Sequence, residues 1–303
     1  MTVPRVAIVG STASGKSAVA MEAARRSGDV ELISIDSMQV YRGMDIGTAK
    51  PSVADQTEIR HHLLDVVNPD EEYTVARFRK DFGRAIEAIE ERQRRALLVG
   101  GTGLYHRVVI DDFELPGEWR DVREELEEDA DTLGLYQRLA TLDPEAATKM
   151  ESGNRRRIIR ALEVTIGSGR PFSSYGPGVD SYQESPVAQI GLRWPRDTIA
   201  ERIETRVHQM VDAGLFAEVE AVRSVGFSKT SAQALGYKET LEYLDGDLSK
   251  DEAIENIIIR TRQFAVRQER WFRRDPRVRW IDVEDDPVAE VAPLVIAALE
   301  AAL

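Results

Sequence analysis

Residues 10 to 17 read Gly-Ser-Thr-Ala-Ser-Gly-Lys-Ser, the G-x-x-x-x-G-K-[ST] pattern of a phosphate-binding loop, directly after the apolar run Arg5-Val6-Ala7-Ile8-Val9. Such a loop works only between a buried strand and a helix that starts at its last residues, so it dictates a strand-loop-helix unit at the start of the fold. Gly10 and Gly15 let the backbone curl into a nest of N–H donors, to which Ser11, Thr12, Ala13 and Ser14 contribute amides. Lys16 adds a point charge, and the Ser17 hydroxyl is placed to reach a Mg²⁺. A diphosphate or triphosphate is expected on the N-terminus of a helix beginning near Lys16.

With 303 residues the chain exceeds one typical domain of about 150, yet it suits a single core bearing one insertion. No apolar stretch approaches the ~20 residues that span a bilayer, and no charged-then-apolar leader opens the chain, so a cytoplasmic protein without membrane contact is expected. Cysteine is absent and the four histidines are scattered, which excludes disulfides, thiol catalysis and cysteine-ligated zinc. The expected metal is Mg²⁺ carried in with the phosphates.

A net charge of −13 argues against indiscriminate nucleic-acid binding, but the charge is uneven. Arg260 to Trp280 carries eight arginines against Glu269 and Asp275, and Gly153 to Arg170 carries five against Glu163. Glu118 to Asp131 runs the other way, with eight acids against Arg120 and Arg123. A basic face on an acidic protein points to a localised polyanionic partner.

Strand-like runs at 5–10, 31–36 and 95–99 alternate with helical patterns at 16–27 and 74–94, the signature of βαβ units in a parallel sheet. After Pro116 the patterns at 118–129, 133–150 and 154–168 are helical. A strand-like run returns at Val187–Leu192, followed by helices near 196–213, 231–245 and 250–274, a strand near Val278–Val283 and a terminal helix from Pro287. The expected fold is α/β: a P-loop NTPase-like parallel sheet flanked by helices, formed by 1–116 and 187–303, with a helical insertion domain at 117–186.

In a nucleotide hydrolase a second apolar strand ends in an aspartate that helps hold Mg²⁺. Here Ala96-Leu97-Leu98-Val99 ends in Gly100-Gly101-Thr102-Gly103, which lacks a carboxylate but lets a backbone and a hydroxyl come close to a ligand. The acid stands instead after the second strand, at Asp36, where a parallel strand end points into the ligand crevice. Asp36 then reads as a general base or metal-side acid, or as a helix N-cap.

At these residues the chain resembles the tRNA dimethylallyltransferases, also called tRNA isopentenyltransferases. The resemblance rests on the phosphate loop, on Ile35-Asp36-Ser37-Met38-Gln39-Val40-Tyr41 running into Gly43–Pro51, on His61–Asp65, on Val99–Tyr105, on Arg160-Ala161-Leu162-Glu163 and on Leu235-Gly236-Tyr237. It implies transfer of a dimethylallyl group from dimethylallyl diphosphate to the exocyclic amine of the adenosine 3′ of the anticodon, in tRNAs reading codons that begin with U. By the same likeness Asp36 takes the amine proton, Thr102 contacts the reacting centre and tRNA, and Lys16 and Arg206 stabilise the departing diphosphate. Residues similar to the family's tRNA contacts are Asp36, Ser37, Met38, Gln39, Thr102, Arg123, Arg156, Arg157, Ile158, Ile159, Arg160, Gln233, Ala234, Leu235, Gly236, Tyr237 and Lys238. The implied partners are the anticodon stem-loop of tRNA and dimethylallyl diphosphate, with the enzyme a monomer.

The chain departs from the family at Ser11, where proline is usual, at Ser17, where threonine is common, and at Gln233, often arginine. An adenylate isopentenyltransferase making a cytokinin shares the loop and the acid, but the insertion and the basic C-terminal helix are surplus for so small an acceptor. A nucleotide-dependent RNA-binding protein or small-molecule kinase is opposed by Gly-Gly-Thr in place of the strand-end aspartate. His61 and His62 read as turn residues, Arg155 to Arg157 as either an exposed helix face or a phosphate contact, and Trp271 and Phe272 as packing.

Overall fold

A computed structural model describes residues 6–111, 113, 115–176, 178 and 181–301. Arg5, placed at the start of the first strand, lies outside the described residues. In chain order the elements are β1 (Val6–Gly10), α1 (Lys16–Ser27), β2 (Val30–Ile35), α2 (Val53–Glu58), β3 (His61–His62), α3 (Val75–Glu91), β4 (Arg95–Gly100), α4 (Gly103–Ile110), α5 (Arg120–Glu128), α6 (Thr132–Leu142), α7 (Pro144–Thr148), α8 (Arg155–Ser168), β5 (Ala188–Arg193), α9 (Arg196–Asp212), α10 (Leu215–Val225), α11 (Tyr237–Leu244), α12 (Lys250–Arg273), β6 (Val278–Asp282) and α13 (Pro287–Ala301).

The six strands form one parallel sheet in the order β3-β2-β4-β1-β5-β6. β1 and β2 are buried at every residue because helices cover both faces, which is why β1 reads as an apolar run rather than an alternation, while β2 buries Glu31 and Ser34 among its apolar residues. The period-2 geometry still sorts their side chains. Val6, Ile8, Val30, Leu32 and Leu97 pack on one face with α1 and α13, while Ala7, Ile33, Ile35 and Leu98 pack on the other with α3, α4 and α9 to α12. The helices after the neighbouring strands β1 and β4 thus lie on opposite faces, which opens a crevice outside the carboxyl ends of those strands.

The chain divides into two compact units, Met1–Asp111 with Tyr182–Leu303, and Asp112–Ser181, where the sequence placed the insertion at 117–186. The second unit consists of α5 to α8 and a 3₁₀ turn at Phe172–Tyr175. Its core is built from Leu126, Leu135, Leu139, Ile158 and Leu162, so Leu139→Ala is worth about 2–5 kcal/mol of its stability.

The helix expected at 133–150 is two helices. Asp143 ends α6 and caps α7, accepting from the Ala146 N–H at 3.0 Å, and Pro144 starts the new helix because it lacks the N–H a continuing helix needs. The helix expected at 231–245 begins as a 3₁₀ turn, and α11 starts only after Gly236, whose φ of 87° breaks the run. The helix expected at 74–94 ends at Glu91, before Gln93 with φ 54°. Sequence reading did not anticipate α2, β3, α4 or α10. α12 opens on a capping box: Ser249 Oγ accepts from the Glu252 N–H and Glu252 Oε2 from the Ser249 N–H.

Candidate active site

The crevice is lined by the segments that leave β1, β2 and β4. Gly10 adopts φ 144° and Gly15 φ 98°, so the loop between β1 and α1 turns through conformations that side chains resist. Its carbonyls are held from behind by residues the sequence did not single out. Trp194 Nε1 donates to Ser14 O at 2.9 Å and Arg202 Nε to Ala13 O at 2.9 Å, with the Arg202 guanidinium 4.5 Å from the Trp194 ring centre. Loop N–H groups are thereby left to face an anion.

Lys16 Nζ donates to Ser11 O at 2.5 Å and lies 3.5 Å from Ser14 Oγ. Burial, reinforced by the Arg206 charge and opposed by Asp36, pushes its pKa down to about 7. Arg206, on α9, donates to Thr12 Oγ1 at 3.5 Å and is lowered by burial against the pull of Asp36. Asp36 is raised by burial, against the Met38 and Gln39 N–H groups and the charges of Lys16 and Arg206. Two cations share one carboxylate, so the site is short of negative charge, which a diphosphate supplies.

Asp36 Oδ1 accepts from the Met38 N–H at 2.8 Å and the Gln39 N–H at 3.4 Å, and no helix starts here. The helix N-cap alternative is therefore replaced by a turn held through Oδ1 alone. Thr102 caps α4 by position; its Oγ1 accepts from the Ser37 N–H at 3.1 Å and lies 3.5 Å from Ser37 Oγ. The glycines beside it answer to the protein rather than to a ligand. A Cβ on Gly100 would lie 2.2 Å from Ile35 O, on Gly101 2.2 Å from Gln268 Nε2 and on Gly103 2.1 Å from the Trp271 indole.

Two cavities meet at Asp36. The larger, ≈ 930 Å³, runs along the phosphate loop past Lys16, Ser17 and Arg206. The smaller, ≈ 360 Å³, lies between Ser37, Met38, Thr102, Met210, Gln233 and Arg267. Both are lined by Thr12, Asp36, Thr48, Arg206 and Phe264, so the carboxylate faces one space rich in phosphate-binding groups and another with a largely apolar lining. Ser17 is exposed on the first space. No group of three or more metal-binding side chains occurs among the described residues.

The other residues singled out by sequence separate into accessible and engaged groups. Gln39 has its amide occupied, donating to Thr48 O and Ala49 O and accepting from Ser34 Oγ. Ala234 and Tyr237 are buried; the Tyr237 hydroxyl donates to Glu218, whose carboxylate also accepts from the N–H groups of Asp45, Ile46 and Gly47. Leu235 and Gly236 line the smaller cavity, Gln233 is exposed and Lys238 half-buried. In the second unit Ile158 and Ile159 are core and lie inside α8, so their side chains are not open to RNA. Arg160 is tied to the buried Glu163 at 2.8 Å and to Pro116 O at 2.9 Å, and Arg123 pairs with Glu127 at 2.9 Å. Arg156 and Arg157 are exposed and form no ion pair among the described residues.

The basic stretch from Arg260 to Trp280 is less basic in space than in sequence. Arg260 pairs with Glu239 at 2.8 Å, Arg262 with Glu204 at 2.6 Å, Arg273 with Glu269, and Arg277 with Asp111 at 2.5 Å and Asp275 at 2.7 Å. Glu239, Glu204 and Asp111, all outside the stretch, neutralise Arg260, Arg262 and Arg277, a pairing that counting charges along one segment misses. Arg267 and Arg270 remain exposed without an ion pair among the described residues. His61 and His62 are tied to the protein: His61 lines the larger cavity with its Nδ1 2.7 Å from Ile59 O, and His62 joins Arg92 on Glu31, which burial raises but these partners hold down at about 2.

The chain matches the family model for IPP transferase over residues 39–275. It is 45% identical to the tRNA dimethylallyltransferase of Paenarthrobacter aurescens, over 97% of this chain and 96% of that one. Among solved structures it resembles the full-length tRNA isopentenylpyrophosphate transferase of Bacillus halodurans, with TM-score 0.71 and 39% identity, covering 99% of this chain and 98% of that one. It also resembles a eukaryotic dimethylallyltransferase acting on tRNA, with TM-score 0.81 and 26% identity, covering 98% of this chain and 78% of that one. With its loop, its crevice carboxylate and this similarity end to end, the chain belongs to the tRNA dimethylallyltransferase family.

Proposed function

We propose that the protein transfers a dimethylallyl group from dimethylallyl diphosphate to the exocyclic amine of the adenosine 3′ of the anticodon, in tRNAs reading codons that begin with U, and releases diphosphate. The observation that carries this reading is the position of Asp36, at the meeting of a phosphate-binding cavity and a second, less polar one. The diphosphate lies on the loop amides from Ala13 to Ser17, the Thr12 amide being held by Gln268, with Lys16 and Arg206 on its oxygens. As the allylic C–O bond breaks, charge grows on the bridging oxygen and these cations take it up in a site shielded from water. The flipped adenine enters the smaller cavity, its amine forms the new C–N bond, and Asp36 receives the amine proton. Burial already raises the Asp36 pKa, which makes it a better acceptor than an ordinary carboxylate.

Mg²⁺ fits as a companion of the substrate: Ser17 offers one hydroxyl and the diphosphate the remaining charge. Bound there it would neutralise the leaving group. Phosphates of the anticodon stem are contacted by the exposed arginines Arg156, Arg157, Arg267 and Arg270. One chain lines both cavities, so a monomer suffices, and tRNA as the substrate puts its work in the cytoplasm; no helix among the described residues is long and apolar enough to cross a membrane.

The cytokinin reading loses ground because the similar proteins, matched over 96%, 98% and 78% of their own lengths, are named for tRNA. Mass analysis of tRNA incubated with protein and dimethylallyl diphosphate, beside a parallel assay with AMP, tests the choice. A gain of one dimethylallyl group on the tRNA adenosine is expected. Prenylated AMP with unmodified tRNA would overturn it.

A further inference from the structure

Gln268 is a neutral side chain in a helix otherwise rich in charge, and it is buried. Its two amide atoms reach two different active-site loops. Oε1 accepts from the Thr12 N–H at 2.7 Å, and Nε2 donates to Gly101 O at 2.9 Å. Each loop carries one half of the site. Thr12 receives Arg206 on its Oγ1, while Thr102, adjacent to Gly101, receives the Ser37 N–H next to Asp36. A continuous chain of hydrogen bonds therefore runs from Arg206 through Thr12, Gln268 and the Gly101–Thr102 segment to Ser37, round the point where the cavities meet. The same helix places Phe264 on both cavities and Arg267 on the smaller.

We propose that Gln268 is a positioning residue that sets the distance between the diphosphate loop and the Thr102–Asp36 side of the site, and so the approach of the amine to the allylic carbon. This rests on the proposed transfer reaction. The bridge must accept from an N–H at one end and donate to a carbonyl at the other, which a carboxamide of this length does at every pH and a carboxyl group only when protonated. The fit leaves no slack, because a Cβ on Gly101 would come within 2.2 Å of Gln268 Nε2. A carboxylate at 268 would satisfy Thr12 but oppose Gly101 O, lone pair to lone pair, and stand beside the diphosphate. A thioether would leave both backbone groups buried and unpaired.

Gln268→Met and Gln268→Glu test the bridge by single-turnover transfer at saturating dimethylallyl diphosphate, each compared with the natural protein at the same pH. Both should lower the rate by about 10²-fold near pH 8, the scale expected when reacting groups are displaced by an ångström, with tRNA affinity unchanged within threefold. The ratio for Gln268→Glu should recover as the pH falls and the new carboxyl gains a proton to give Gly101 O, whereas the Gln268→Met ratio stays flat. Rates within threefold of the natural protein in either variant would overturn the proposal, as would equal pH behaviour of the two or a loss confined to tRNA binding. Hydrogen exchange needs no turnover: Gln268→Met should speed exchange at the Thr12 amide and leave α13 unchanged, and an unaltered Thr12 rate would also overturn it. If the natural protein transfers nothing, the reaction reading fails on its own, and exchange still decides the bridge.

Discussion

Lys16 and Arg206 face each other across a crevice in which Asp36 is the carboxylate that acts on both, whereas Arg156 and Arg157 on α8 stand in water with no acid against them among the described residues. The same charge does different work in the two places. In the crevice low polarity makes each interaction strong and shifts all three groups from their ordinary pKa values, Lys16 as far as about 7. On the helix surface each charge is screened within about 10 Å at 0.1 M salt and acts by releasing counterions from the RNA. Loss of one crevice group should therefore remove chemistry in a single step, and loss of one surface group should only lower a slope.

Asp36→Asn probes the crevice most severely. Asparagine keeps the shape and the acceptor for the Met38 N–H but takes up no proton, so kcat should fall about 10²- to 10⁴-fold while tRNA affinity holds. Single-turnover measurement isolates the step. A variant within threefold of the natural protein would remove Asp36 from the mechanism and, with it, the contrast between crevice and surface.

Next in size is Lys16→Ala, expected to cost about 10²- to 10³-fold in transfer, the range found when one donor to a developing anion is deleted. Binding of tRNA should stay within a few-fold, because Lys16 lines the larger cavity and not the smaller. Filter binding with the variant would expose a shared role by an equal loss of RNA affinity.

These residues were legible because the chemistry of a phosphate loop is written in consecutive positions, and because β1, β2 and β4 are apolar enough to announce a parallel sheet. Asp36 followed from standing at a strand end. What escaped was whatever depends on distant pairing. Nothing local marks Gln268 as the partner of Thr12 and Gly101, or Glu218 as the acceptor for Tyr237 and the Asp45–Gly47 backbone. The glycines at 100, 101 and 103 looked like room for a ligand but are room for Ile35, Gln268 and Trp271. The arginine run on α12 looked like a basic face until Glu239 and Glu204 came to meet it. β3 and α2 are too short to show a period.

The pH dependence of ligand binding sharpens the crevice side. In the free protein burial holds Lys16 near 7, so the cation is present below that pH and lost as the pH rises through it. Binding a diphosphate above pH 7 must then recapture a proton, and affinity should decline by up to about tenfold per pH unit. Calorimetry with dimethylallyl diphosphate from pH 6 to pH 9 would show the fall, and Lys16→Arg, which keeps its charge, should flatten it. A decline of equal steepness in that variant would assign the titration elsewhere.

The smallest effects belong to the surface. Replacing Arg267 and Arg270 together by alanine should lower the slope of log affinity against log salt by up to about one unit for each phosphate no longer neutralised. Arg156 and Arg157 should behave in the same way. Arg262 is the control that separates free from paired arginine: it lies 2.6 Å from Glu204, and both side chains are well exposed. Its charge is already balanced, so Arg262→Ala should leave the salt slope as it is and change stability by no more than about 1 kcal/mol, the ordinary worth of an exposed pair. Were the slope to fall as far for Arg262→Ala as for Arg267 and Arg270, the pairing in the folded protein would yield to RNA. The basic face would then be as broad as the sequence alone makes it.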